Sequence, residues 1–279
     1  MSVTTWHVLD LQRLRSGAYG DLFVGTRSDS GERVALKYLR DYHLDHARKG
    51  FEREINFLRN GRRGLVPLIY ADMKAAPPYY IMPYFPHGSL SRYAGTLSAD
   101  QLQNVALELA NTLASLHSAF EVHGDFKPDN ILVTHDGRLQ VADPLGNGTL
   151  FTMLFSENRG GTPGYWAPEV RAGGPISRAS DIHSYGATLA HLLTGIRPSD
   201  GHPLPSNFFY RQNSKIEEVI LACCQTDPNA RPTIQEVLGM LSGKRLGDIQ
   251  SERLQRKQLA TGWGIAALVL IGLAALSGK

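Results

Sequence analysis

Residues 122–133 read VHGDFKPDNILV. A carboxylate, a lysine two residues on and an amide three further precede an apolar run, and a second carboxylate, Asp143, follows LQVA. If a turn brings Asp125 and Asn130 together before the strand ILV, Asp143 adds a third hard oxygen donor. Phosphoryl transfer crowds negative charge, so its site needs cations, oxygen ligands for magnesium and a positioned nucleophile. Taken singly, Asp125 or Asn130 is also an ordinary turn former. Two further stretches carry the same kind of chemistry. In LRSGAYGDLFV, Gly17 and Gly20 let a hairpin backbone approach a polyphosphate closely, or merely close a turn. In VALK, Lys37 interrupts an apolar strand, and a buried lysine needs a partner. Glu54 in the next helix is the candidate; the alternative is that both are solvated surface charges.

The elements that must position these residues change character along the chain. The first eighty or so residues alternate as strands, with DLFVGTR, a SDSGE turn and RVALKYLR forming a hairpin. HARKGFEREINFLRN places Phe51, Ile55 and Leu58 at helical spacing, with Gly61 and Gly64 closing the helix. LVPLIYADM and PPYYIMPYF read as two more strands around a KAAP turn. From Ser98 the pattern is helical. Ser98 with Gln101 predicts a capping box, and Leu102, Val105, Ala106, Leu109, Leu113 and Leu116 form one apolar stripe. Later helices are expected around Asp181–Leu193, Ile216–Cys224 and Thr233–Leu241. A small β-rich part before a larger helical part, joined near Tyr84–Gly88, is a two-lobed α+β plan with a cleft between the lobes.

The 279 residues are 42% hydrophobic and 20% charged, as expected of a globular chain. The net charge of +3 is small and the basic residues are scattered, which gives a nucleic-acid partner little support. The adjacent Cys223 and Cys224 are the only cysteines, which fits a reducing compartment. The N-terminus lacks the pattern of a secretory signal. Gly243–Lys257 reads as a charged linker or stalk. From Gln258 to Gly278 no residue is charged. As a helix, at ~1.5 Å per residue, that stretch extends ~31 Å, matching a hydrocarbon core of ~30 Å. It therefore reads as a single transmembrane helix, the alternative being a hydrophobic helix docked on protein. Lys244, Arg245, Arg253, Arg256 and Lys257 precede it and only Lys279 follows, so the large N-terminal part is expected in the cytoplasm. With so little after the span, an extracellular sensor is not expected.

The order of Gly-rich loop, Val-Ala-x-Lys, helix Glu, H-x-D-x-K-x-x-N, Asp and Ala-Pro-Glu resembles the eukaryotic-like serine/threonine protein kinase family, in its bacterial type, over residues 10–242. The resemblance implies a small β-rich lobe over about 10–83 and a helical lobe over about 87–242. It implies ATP and Mg²⁺ as cofactors and protein serine or threonine as substrate. Lys37, oriented by Glu54, would hold the α- and β-phosphates. Asp125 would be the catalytic base, Lys127 would contact the transferred phosphate, and Asn130 and Asp143 would be the Mg²⁺ ligands. YYIMPYFPHGSL aligns with the family's hinge. Met82 would guard the back of the adenine pocket, while the Pro83 carbonyl and the Phe85 N–H would bond the base. Leu14, Leu22, Ala35 and Leu132 would sandwich it, although each is equally an ordinary core residue.

His-Gly-Asp also resembles the aminoglycoside and choline phosphotransferases. Lys127-Pro128, Thr162 and Ala167-Pro168-Glu169 in GGTPGYWAPEV, Asp181 and Gly186, and Arg231 as partner of Glu169 follow the protein kinase pattern instead. Three positions depart from it. Arg15 stands where the first loop glycine is usual, and Pro144-Leu145 replaces Phe-Gly after Asp143. Gly124 replaces the arginine that commonly reads an activation-segment phosphate, so phosphorylation at Thr149, Thr152, Ser156 or Thr162 is not expected to be required. Pro144 is further expected to hold Asp143 extended. A pseudokinase scaffold is the competing class, and a small-molecule phosphotransferase the third. Tethering to a membrane would raise local concentration and favour self-association for autophosphorylation.

Overall fold

Alternating side chains give the N-terminal sheet two apolar faces, which is why its strands form where the sequence alternates. Leu22, Val24, Ala35, Lys37, Tyr80 and Met82 share one face, and Phe23, Leu36, Tyr38, Tyr79 and Ile81 the other. In this computed structural model the described residues are 7–16, 20–145, 163–199, 202, 204, 215–245, 247–249, 251, 252 and 255. Gly17, the four activation-segment hydroxyl residues and the uncharged stretch 258–278 lie outside them. Among the described residues no helix is long and apolar enough to cross a membrane.

The strands are β1 (Val8–Ser16), β2 (Gly20–Arg27), β3 (Arg33–Leu39), β4 (Tyr70–Asp72) and β5 (Tyr79–Pro83). They form one antiparallel sheet in the order β1-β2-β3-β5-β4. Helix α1 (Asp45–Arg59) packs Phe51, Ile55 and Leu58 into the core and ends at Asn60, followed by Gly61 at φ 59°. The expected strand LVPLIYADM shortens to β4. Pro67 lacks an N–H, and the residues before it bond to the other lobe: Val66 N–H donates to Val141 O at 3.0 Å, and Val141 N–H to Gly64 O at 2.7 Å.

In the larger lobe α2 (Ala99–Ser118) starts from the expected capping box, with both Ser98–Gln101 bonds present. The hairpin of β6 (Ile131–Val133) and β7 (Leu139–Val141) follows. Then come α3 (Pro168–Arg171), α4 (Arg178–Thr194), α5 (Lys215–Cys223) and α6 (Ile234–Leu241). Helix α4 is buried on nearly every side, and Gly186 lets α5 approach: a Cβ there would lie 2.7 Å from Cys223 Cβ. One apolar core runs from Ala35, Tyr80 and Met82 through α2 and α4 to α6. It also takes in Ile249 at 2% exposure, so the segment expected to be a charged linker contributes a side chain to the domain.

Candidate active site

The cleft-facing row of the sheet sets the first cluster. Lys37 stands between Leu22 and Tyr80 in the register. Its Nζ donates to Glu54 Oε1 and to Asp143 Oδ1, both at 2.7 Å. Tyr80 donates its hydroxyl to the same Glu54 oxygen at 2.7 Å. An ammonium has three donors, so one remains for a further acceptor. Burial works against the Lys37 charge, but Asp143 and Glu54 hold its pKa well above the ordinary lysine value. Burial also lifts the Glu54 carboxyl, against the pull of Lys37. Asp143 is pushed up by desolvation, yet the Lys37 charge and hydrogen bond prevail and hold it at about 2. Its side chain remains 47% exposed, an anion turned toward the cleft.

The second cluster grows from the turn before β6. A 3₁₀ turn at Pro128–Asn130 brings Asn130 back to Asp125, whose backbone oxygen and Oδ2 accept from Asn130 Nδ2 at 2.9 and 2.8 Å. Lys127 Nζ donates to the same Oδ2 at 2.6 Å. Both donors therefore converge on Oδ2, and Oδ1 has no donor among the described residues. Burial raises the Asp125 pKa, opposed chiefly by Lys127. The pairing of Ile131 with Val141 sets Asn130 opposite Ala142, whose N–H donates to Asn130 O at 2.8 Å. Asn130 is thus beside Asp143, and the two clusters meet.

Sequence reasoning missed what holds this turn. Asp181, 1% exposed at the start of α4, accepts the N–H of His123 at 2.8 Å and of Gly124 at 2.9 Å, and lies 3.0 Å from His117 Nε2. It does not cap the helix; Ser177 does, in a box with Ser180. His123 is fully buried, and burial lowers its pKa, so the neutral ring holds the Ala142 carbonyl at 3.0 Å. Gly124 has φ 83°, and a Cβ would sit 3.1 Å from Leu145 Cβ and from Ile176 Cδ1. The expectation that Pro144 holds Asp143 extended is overturned: Asp143 has φ 55°, in the left-handed region. The bond to Lys37 on one side, and that from Leu145 N–H to His123 O at 2.8 Å on the other, outweigh the local preference.

Of the predicted hinge residues, Met82 lies on the sheet face of Lys37, whereas Pro83 pairs with Val34 on the opposite face. Met82 pairs with Ala35 in the register, and both are buried. Pro83, Leu22 and Leu132 are partly buried and Phe85 is buried. The Phe85 N–H has no acceptor among the described residues, whereas Tyr84 N–H donates to Arg33 O at 3.3 Å. Leu14 is 46% exposed, in a bulge of β1. Gly20 serves the sheet: a Cβ would lie 2.1 Å from Tyr38 O. Below the cleft, Glu169 and Arg231 form the expected pair, bidentate at 2.6 and 2.7 Å. Arg231 also donates to the carbonyls of Ala179, Gln225 and Thr226. Tyr165 OH lies 2.7 Å from His191 Nδ1, and Arg197 grips Asp129 at 3.0 and 3.2 Å. These last contacts have no sequence signature, since their partners lie 26 and 68 residues apart.

A small sheet lobe and a larger helical lobe that meet at these two clusters make the protein kinase fold. The protein kinase domain model matches residues 9–241, and the chain belongs to the protein kinase family. It is similar to the probable serine/threonine-protein kinase PkwA of Thermomonospora curvata, at 32% identity over 257 residues, covering 85% of this chain and 34% of that protein. The serine/threonine-protein kinase AfsK of Streptomyces coelicolor is 30% identical over 255 residues, covering 85% and 32%. Calmodulin-binding receptor-like cytoplasmic kinase 3 of Arabidopsis thaliana is 29% identical over 260 residues, covering 85% and 49%. The chain spans about a third to a half of the length of these curated relatives.

Proposed function

We propose that the chain is an ATP- and Mg²⁺-dependent protein serine/threonine kinase. The observation that carries this reading is the state of Asp125: Lys127 and Asn130 both hold Oδ2, so the orientation is fixed while Oδ1 is left for an incoming hydroxyl. A carboxyl whose pKa burial has raised is a stronger base than an exposed one, and Asp125 accepts the proton of the attacking serine or threonine. Lys37, fixed by Glu54, offers its remaining N–H to phosphate oxygen, and Lys127 steadies the transferred group.

Magnesium fits the donors present. The Asn130 amide nitrogen is engaged by Asp125, which leaves Oδ1 as its outward atom beside the ionised Asp143. Two oxygen ligands suit an ion that takes one or two protein ligands and completes its shell with phosphate and water. Bound there, Mg²⁺ supplies charge neutralisation of the phosphates.

A protein substrate, rather than an aminoglycoside or choline, is favoured by the bonds that fix residues 163–171. Tyr165 is held by His191 and Glu169 by the fully buried Arg231 side chain, which makes a rigid platform beside the cleft. The uncharged stretch 258–278 and the basic residues before it support tethering to a membrane with the kinase domain on the cytoplasmic side, where neighbouring copies would phosphorylate one another. The test is incubation of the full chain with γ-labelled ATP and Mg²⁺ beside protein, aminoglycoside and choline acceptors. Label on protein serine or threonine is expected. Nucleotide binding without any label would make the chain a scaffold, and label on a small acceptor would move it to the other family.

A further inference from the structure

Strand β1 carries two arginines two residues apart, and a bulge turns them to opposite faces of the sheet. Arg13 stands opposite Phe23 and Arg15 opposite Leu22, so Leu14 is the extra residue. An extra residue inverts the alternation beyond it. Arg13 accordingly lies on the outer face with Phe23 and Tyr38 and donates to Asp21 at 2.9 Å. Arg15 falls on the other face, in one cross-strand row with Leu22, Lys37 and Tyr80. That row looks into the cleft, because Lys37 reaches Asp143 and Tyr80 reaches Glu54.

Arg15 is exposed and has no hydrogen bond or ion pair with a described residue. Its backbone is two strand spacings from Lys37, roughly 10 Å, a distance its long side chain narrows. Its charge also acts across the cleft. Burial raises the Asp129 carboxyl, but the bond and charge of Arg197, then the charges of Lys127 and Arg15, bring it down. Asp129 already has both oxygens on Arg197 and does not need Arg15 as a partner. The cleft lysines are committed too, Lys37 to Glu54 and Asp143 and Lys127 to Asp125. Arg15 is the cation over this cleft that no described carboxylate holds.

We propose that Arg15 is a nucleotide-binding residue whose guanidinium engages the phosphate chain of ATP from the sheet side, at the position where the family has a glycine. The inference rests on the kinase reading. A glycine presents only backbone, whereas a guanidinium adds a planar fork of donors that matches phosphate oxygens. Its contribution grows with phosphate charge and is absent for adenosine.

The test is calorimetric titration of ATP, ADP and adenosine into the full chain and its Arg15→Gln, Arg15→Lys and Arg15→Gly variants. Arg15→Gln is expected to weaken ATP about tenfold, ADP by less, and leave adenosine within about twofold, with Arg15→Lys intermediate. Arg15→Gly separates the charge from strand stiffness, and its ATP loss should match that of Arg15→Gln. Unchanged ATP affinity in Arg15→Gln, or equal weakening of ATP and adenosine, overturns the inference while the kinase reading stands. A wild-type chain that binds no ATP overturns both.

Discussion

Replacing Asp181 by Asn tests how the turn that carries Asp125 is held. The carboxylate is 1% exposed and receives the His123 N–H at 2.8 Å, the Gly124 N–H at 2.9 Å and a contact from His117 at 3.0 Å. An amide has one oxygen, so in either orientation its NH₂ group faces one of those backbone donors. One bond to a charged acceptor, about 1.5–3 kcal/mol, is lost, and an N–H is left buried without a partner. A net cost of about 3 kcal/mol corresponds to a fall in melting temperature of roughly 6–12 °C for a domain of this size. If the strain falls on residues 123–125, the population of the competent turn drops by about two orders of magnitude, and kcat with it. Steady-state phosphorylation, scanning fluorimetry and hydrogen exchange at the His123 and Gly124 amides measure the three effects. A variant with wild-type protection at both amides and a midpoint within about 1 °C would refute the reasoning.

Stability is expected to fall on mild acidification because of His183. Burial, then the charge of Arg231, lowers its pKa to about 4. Between about pH 6.5, the unfolded value, and about pH 4 the unfolded chain binds the extra proton, so stability is lost as pH falls through that window, by about 2 kcal/mol between pH 7 and pH 5. Urea unfolding at the two pH values should show a loss in the wild type that is smaller by about this amount in His183→Gln. Gly124→Arg, which restores the residue usual in the family, should destabilise, because φ is 83° and Leu145 and Ile176 stand 3.1 Å from the added Cβ. A left-handed side chain costs about 1–2 kcal/mol, a midpoint lower by roughly 2–8 °C, and an unchanged midpoint would contradict this.

How far the site was legible depended on the range of the forces involved. Lys37 and Glu54 could be paired from sequence because a lysine inside an apolar strand demands an anion, and the next helix offers one. Asp125, Lys127 and Asn130 lie within one turn, so spacing alone brings them together, and the Ser98 cap is equally local. Tyr80 was missed as a second partner of Glu54, although its place two residues before Met82 puts it on the same strand face. The Asp181 network joins residues 57 to 64 positions apart and leaves no local trace. Asp143 shows the opposite failure, a sound local rule about the residue before proline overridden by tertiary bonds. At Gly20 the sequence left open a phosphate approach or a plain turn, and the carbonyl of Tyr38 adds a packing reason for glycine that spacing cannot reveal. The cap of α6 by Thr233 and Glu236 was readable from TIQE, and only the helix, not its box, was drawn from it.

The most direct test of the central claim is the rate of phosphate transfer by Asp125→Asn, measured together with ATP affinity. Asparagine keeps the size of the side chain but cannot take a proton from the hydroxyl. The account predicts a fall in kcat of about 10²–10⁴, with ATP binding within a few-fold of wild type. Transfer to serine or threonine at the wild-type rate would contradict it.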